Sequence, residues 1–248
     1  MIRVTYPTHR ASSAFLQVMW AQRSDLTDLE RQGFAHYVYL TVCGTVEAAL
    51  ALAIKNRLRS IDSLSYKSAP VTVEQESKKY RMTNQPVLDS LSNLIRNFRR
   101  SVEAMPLGRL IELYSQMFSD TLPQVLGKEL YDEVQGLAAL RNLFAHGREL
   151  YFDFKGQFSD VANTQVDLDR NPLKGPLSRL AAAGIIKTTK ASGANYTDMM
   201  DVFYTDAALL HFYCAAKDVL ERLKAANDYL PERLGPHGQF PELVPLDA

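Results

Sequence analysis

Tyr-Leu-Thr-Val-Cys-Gly-Thr-Val-Glu-Ala-Ala-Leu-Ala-Leu-Ala-Ile, residues 39–54, is apolar on almost every side of a helix. Around it Phe34, Tyr37, Val38, Val42, Val46, Ala49, Leu50, Ala53 and Ile54 recur at spacings of three and four, a helical pattern from about Asp25 to Ser60. A helix without a polar face has to be enclosed by others, so this segment reads as the central helix of a bundle. Glu47 stands nearly alone in that apolar centre. Its carboxylate either lies at a wet edge or is paired and faces a site, and residue type leaves both open.

Working outward, residues 61–82 carry Ser, Lys and Pro70 and read as a loop. Asn84 then caps and Pro86 opens a helix marked by Val87, Leu88, Leu91, Leu94, Ile95 and Phe98. Pro106 opens the next, with Leu107, Leu110, Ile111, Tyr114 and Phe118 on one face. After Pro123 and Gly127 a helix runs from about Lys128 to His146, where Gly147 supplies a left-handed stop. In 150–197 the period changes. Phe152 and Phe154 alternate with polar residues, Val166 and Leu168 suggest a second strand, and a short helix through Leu177 and Leu180 ends at Gly184. A long last helix at 206–227 turns Leu209, Tyr213, Ala216, Leu220 and Leu223 inward. Upstream, Ile2, Val4 and Tyr6 look strand-like and Phe15–Trp20 weakly amphipathic. The expectation is one mainly α domain over 1–248: an up-and-down helical bundle, a small α/β insertion at 150–197 and a Pro-rich tail at 229–248.

The formal net charge is zero, which argues against a protein that coats nucleic acid by bulk electrostatics; a nucleic-acid site has to be local. Charge is nevertheless uneven. Residues 55–100 hold ten Lys and Arg against four Asp and Glu, with Arg96, Arg99 and Arg100 crowding one helix end. Such a block either contacts phosphates or is a solvated face that complements the helix dipole. Cys43 and Cys214 sit in apolar helical patterns without a CxxC, so two buried free thiols are expected, with no disulfide framework and no metal or cofactor site. The N-terminus lacks the apolar core of a signal peptide, and no run suggests a membrane span, so a soluble cytoplasmic protein is expected.

Chemistry concentrates in Gly-Leu-Ala-Ala-Leu-Arg-Asn-Leu-Phe-Ala-His-Gly-Arg-Glu-Leu, residues 136–150. Asn142 and His146 stack one turn apart with Arg141 one step round. The apolar line Leu130, Val134, Leu137 leads into Arg141, so its guanidinium points along a face that should be buried, where an unpaired charge is costly. The other histidines, His9, His36, His211 and His237, lack such neighbours in sequence. A helix-terminal Arg-Asn pair can also cap a neighbour, and a terminal histidine can bond the last carbonyls of its own helix, so a structural reading stands beside the functional one.

Arg141-Asn142-Leu143-Phe144-Ala145-His146 resembles the Arg-x4–6-His motif of the HEPN superfamily, down to the polar residue after the arginine and the Ala-His-Gly ending. The long apolar helix with Glu47 is similar to that family's first core helix, which often contributes an acidic residue near the site. The likeness covers roughly 30–150 and 200–228. It implies a HEPN-like bundle and a metal-independent endoribonuclease, working as a homodimer whose motifs meet across a symmetric cleft and cutting RNA to 2′,3′-cyclic phosphate and 5′-hydroxyl ends. Arg141 would face the phosphate, His146 act as acid or base, Asn142 orient, and Glu47 be a possible fourth member. A toxin or antiviral defence role follows, with an antitoxin or other regulatory protein as partner. In some relatives a nucleotidyltransferase antitoxin modifies a tyrosine two positions after the histidine; here Arg148 stands there. Some HEPN-like domains are non-catalytic modules for dimerisation or partner binding, and that is the alternative.

Overall fold

A computed structural model describes residues 8–65, 71–75, 78–82, 85–146, 153–155, 165–169, 171–187 and 198–226. The described chain is mainly α. Its helices are α1 (Thr8–Ala21), α2 (Asp28–Ser65), α3 (Gln85–Ser101), α4 (Leu107–Met117), α5 (Leu122–Leu126), α6 (Lys128–His146), α7 (Lys174–Ala182), α8 (Asp198–Asp201) and α9 (Asp206–Ala226). Short antiparallel hairpins pair β1 (Val71–Gln75) with β2 (Lys78–Met82) and β3 (Asp153–Lys155) with β4 (Gln165–Asp167).

The central helix is where the apolar run places it. Thr27 and Glu30 open α2 with a reciprocal capping box: the Thr27 amide donates to Glu30 Oε2 at 2.9 Å, and the Glu30 amide donates to Thr27 Oγ1 at 3.4 Å. Beyond that cap, Val38, Val42, Val46, Leu50 and Ile54 are buried, and α3, α4, α6 and α9 all pack against the helix. Each such side chain contributes about 1.5–3 kcal/mol when it leaves water. On α9 the expected inner face, Leu209, Tyr213, Ala216, Leu220 and Leu223, is buried as well.

Several expectations need correction. Helix α2 continues five residues past Ser60, and 71–82 holds a hairpin where a loop was expected. Val71-Thr72-Val73 is β-branched, and such residues prefer strands; the Ser, Lys and Pro70 around them hid that signal. Within α2, Asp28–Asp62 is long and apolar enough by length and composition to cross a membrane, with mean hydropathy 1.7 in its most apolar window. The expectation that no run suggests a span was therefore wrong. Of that window 56% is buried inside the fold, where α3, α4, α6 and α9 pack against the helix. The expected strand at 2–6, the loop at 188–197, the Gly147 stop and the tail lie outside the described residues.

Two polar contacts lock the bundle. Arg23 is buried under α9, its Nε donating to Asp206 Oδ2 at 2.7 Å while its guanidinium lies 3.9 Å over the Trp20 ring. Tyr39, fully buried on α2, donates its hydroxyl to the Phe203 carbonyl at 2.8 Å, and burial pushes its ionisation well above the ordinary tyrosine range. Tyr39→Phe keeps the ring but leaves that carbonyl without its donor. It should cost about 1–2 kcal/mol, read as a lower urea midpoint at unchanged slope.

Candidate functional site

Arg141, Asn142 and His146 occupy the last two turns of α6, and Glu47 comes to them from the middle of α2. Glu47 Oε1 lies 3.4 Å from Arg141 Nε, and the same oxygen accepts the backbone N–H of Leu107 at 3.0 Å. Leu107 is the first residue of α4, and Pro106 before it supplies no side-chain cap. The carboxylate therefore stands where an N-cap side chain would, facing the positive end of a helix dipole. With side-chain exposures of 19% and 27%, Glu47 and Arg141 form a rim pair, neither buried nor free. That decides the question left by the sequence: Glu47 is paired. Arg141 follows the buried residues Val134 and Leu137 as its spacing requires, but it emerges at the edge of that face.

Glu47 takes the Nε side of the guanidinium. Arg141 Nη1 reaches Asn142 Oδ1 at only 3.5 Å, a weak contact, and Asn142 itself is exposed. His146 is the last residue of α6. The structure thus brings Arg141, Asn142 and Glu47 together and sets His146 on the same helix end.

An aromatic seat holds this part of α6. Phe144 packs tilted against His36 of α2 at 4.2 Å between ring centroids and stacks on Tyr39 at 5.3 Å, while Tyr204 lies 5.8 Å from His36. Next along the same face of α2, Cys43 is a buried free thiol beside Glu47 and Arg141. Burial first and the Glu47 charge second push its ionisation up, with Arg141 opposing, so it packs as a thiol. The sequence alone did not pick out His36, whose Nε2 is sealed from solvent with no hydrogen-bond partner among the described residues.

A groove elsewhere was also missed. At the opposite end of α6, His211 Nε2 of α9 lies 3.0 Å from Glu133 Oε2 in a groove of about 1110 Å³. Glu129, Asp218 and Glu221 add carboxylates to its walls and Cys214 a thiol. Cys214 is exposed, which corrects the expectation that both thiols are buried. Glu133 and His211 are 78 positions apart, so no local pattern links them. Eight residues of helical rise, about 12 Å, separate Glu133 from Arg141. Among the described residues no three His, Cys, Asp or Glu side chains cluster so as to hold a metal ion.

Compared with known proteins, the chain matches no family model, no curated protein and no solved structure.

Two outcomes follow from this geometry. Glu47→Ala removes both the α4 cap and the partner of Arg141 and should cost about 1–3 kcal/mol in denaturant unfolding, whereas Glu47→Gln keeps an acceptor for the Leu107 amide and should cost less. Burial also lowers the His36 pKa below the ordinary histidine value of 6.5. The unfolded chain then binds more protons below 6.5, so stability is lost as pH falls through that value and levels off once His36 protonates in the fold. His36→Phe should lose less stability than the wild type between neutral pH and pH 5, measured by urea midpoints across that range.

Proposed function

We propose that this protein is an endoribonuclease of the HEPN type, built on Arg141, Asn142 and His146 and acting as a toxin or defence factor on single-stranded RNA. The observation that carries the reading is the state of Arg141. It stands at the mouth of an otherwise apolar helix face, 27% exposed and held on its Nε side by Glu47. The Nη edge is left for an oxyanion, and a forked, permanently charged guanidinium matches two non-bridging phosphate oxygens. The HEPN-like bundle and the insertion at 150–197 belong to the same proposal.

In the reaction the RNA 2′-oxygen attacks the adjacent phosphorus and the P–O5′ bond breaks, leaving a 2′,3′-cyclic phosphate and a 5′-hydroxyl. One base takes the 2′-OH proton and one acid delivers a proton to the departing 5′-oxygen. Histidine changes charge near neutral pH and serves either step. With one motif histidine per chain, a homodimer that brings two copies of His146 together supplies both. Arg141 stabilises the charge that develops on the phosphorane, and Asn142 orients the phosphate or the imidazole by hydrogen bonding. Glu47 acts through Arg141, holding it in place. An antitoxin or another regulatory protein would restrain such an activity in a cell.

The bond network favours a second reading on one point. Glu47 joins Arg141 to the first amide of α4, so the arginine also serves as a pin between α2, α4 and α6 in a non-catalytic module for dimerisation or partner binding.

Arg141→Lys separates the two. A lysine keeps the charge opposite Glu47 but not the fork, so unfolding should shift by less than about 0.5 kcal/mol. Cleavage of single-stranded RNA, measured with EDTA present, should fall at least about 100-fold, and His146→Ala should abolish it. Equal cleavage by wild type, Arg141→Lys and His146→Ala removes this site from the reaction. No cleavage by the wild type, with Arg141→Ala losing stability or association, supports the structural module.

A further inference from the structure

We propose that the cationic patch where α3 ends against α2, made by Arg59, Arg96, Arg99 and Arg100, binds the phosphate backbone of the same RNA several nucleotides away from the scissile bond. The proposal rests on the nuclease reading for the identity of the strand, but its geometry stands separately.

Helix α2 serves as a ruler. Glu47 marks the level of Arg141 through the Nε–Oε1 contact at 3.4 Å. Two turns further on, Lys55 is ion-paired with Glu103, in the 3-10 turn that follows α3 directly. The eight residues between these levels rise about 12 Å, and Arg59 stands about 6 Å beyond Lys55. Residues 103–107 run back along α2 over that interval, from the Lys55 pair to the Leu107 amide held by Glu47. The short segment 103–107 therefore leads from the end of α3 to the level of Arg141 on α2.

The charges in the patch are not committed elsewhere. Arg23, Lys55, Arg109 and Lys128 each have a carboxylate partner. Asp62 accepts the Ser92 hydroxyl at 2.7 Å, and Arg59 Nη1 meets the neutral amide oxygen of Asn56 at 3.3 Å. Among the described residues no carboxylate forms an ion pair with Arg59, Arg96, Arg99 or Arg100. Arg59, Arg96 and Arg100 are exposed and Arg99 is half-buried. Complementing the α3 dipole explains Arg99 and Arg100, which lie in its last turn, but not Arg96 or Arg59. All four are guanidiniums, the side chain that forks onto phosphate. On a chain of zero net charge, such a local patch is what holds a polyanion.

The test uses the full chain carrying His146→Ala, so that bound RNA stays intact, and a fluorescein-labelled RNA of about 15–20 nucleotides, longer than one binding site. Anisotropy titrations at several salt concentrations give the affinity and its salt slope. Arg96→Gln with Arg100→Gln should weaken binding about tenfold and reduce the slope by about 1.4, as expected for two lost phosphate contacts on a single strand. Arg59→Gln with Arg99→Gln is the independent second pair. In the chain with His146 intact, both pairs should raise KM for long RNA and leave cleavage of a dinucleotide, too short to reach the patch, unchanged. Unchanged affinity and slope in both pairs overturn the proposal. So does patch-dependent binding to phosphatidylcholine–phosphatidylserine vesicles without an effect on RNA, which makes the surface a membrane contact. RNA binding that depends on the patch, with no cleavage by the wild type, upholds the patch and removes the nuclease reading instead.

Discussion

A helix that is apolar on almost every side has to bury most of its surface, and the described fold follows from covering one. Because α2 carries Val, Leu, Ile and Ala around its circumference through Ile54, α3, α4, α6 and α9 pack against it; α4, α6 and α9 direct their apolar stripes inward, whereas α3 buries Ile95 and leaves Leu91 and Leu94 exposed. The enclosure leaves little room for charge, which is why Glu47 matters. A carboxylate at such a place needs partners, and it has two: the otherwise uncapped first amide of α4 and the guanidinium of Arg141. One oxygen thereby relates three helices. The position of Arg141 at the rim is a consequence of how α2 is covered.

The same logic fixes the end of α6. Phe144 packs against His36 and Tyr39, so the turn that bears Arg141 and Asn142 is seated by ring contacts as well as by Glu47. In the proposed nuclease such a seat would suit a phosphate site, because donors already in place need not be reoriented as charge develops. Charge is divided in space although the total is zero. Carboxylates gather with His211 at the start of α6, and arginines with no carboxylate partner among the described residues gather at the end of α3. Since exposed charges more than about 8–10 Å apart are largely screened at physiological salt, each region acts on its surroundings by its own local sign.

How much could be read beforehand depended on the range of the forces involved. The helices at 107–117 and 128–146 and the last helix were legible because Pro, Gly and threefold–fourfold apolar spacing are local signals, and α6 begins where Gly127 predicts. The hairpin at 71–82 was not, because three β-branched residues inside a Ser- and Lys-rich stretch speak softly and strand pairing is a non-local choice. Arg141 and Asn142 stood out by residue type and spacing. His36 and the Glu133–His211 pair did not, since each gains its character from a helix distant in sequence.

The sequence by itself therefore determined the class of structure, the identity of the central helix and the grouping of Arg141, Asn142 and His146 on one helix end, all of which follow from a period of 3.6 residues and from capping chemistry. Tertiary structure decided the rest: that Glu47 is paired, that Cys43 is sealed while Cys214 is open, and that a short segment after α3 leads back along α2 to the level of Arg141. Those outcomes depend on which helix faces cover α2 and at what height. Periodicity names the apolar face of a helix, but the neighbour that face meets is settled only when all of them pack at once.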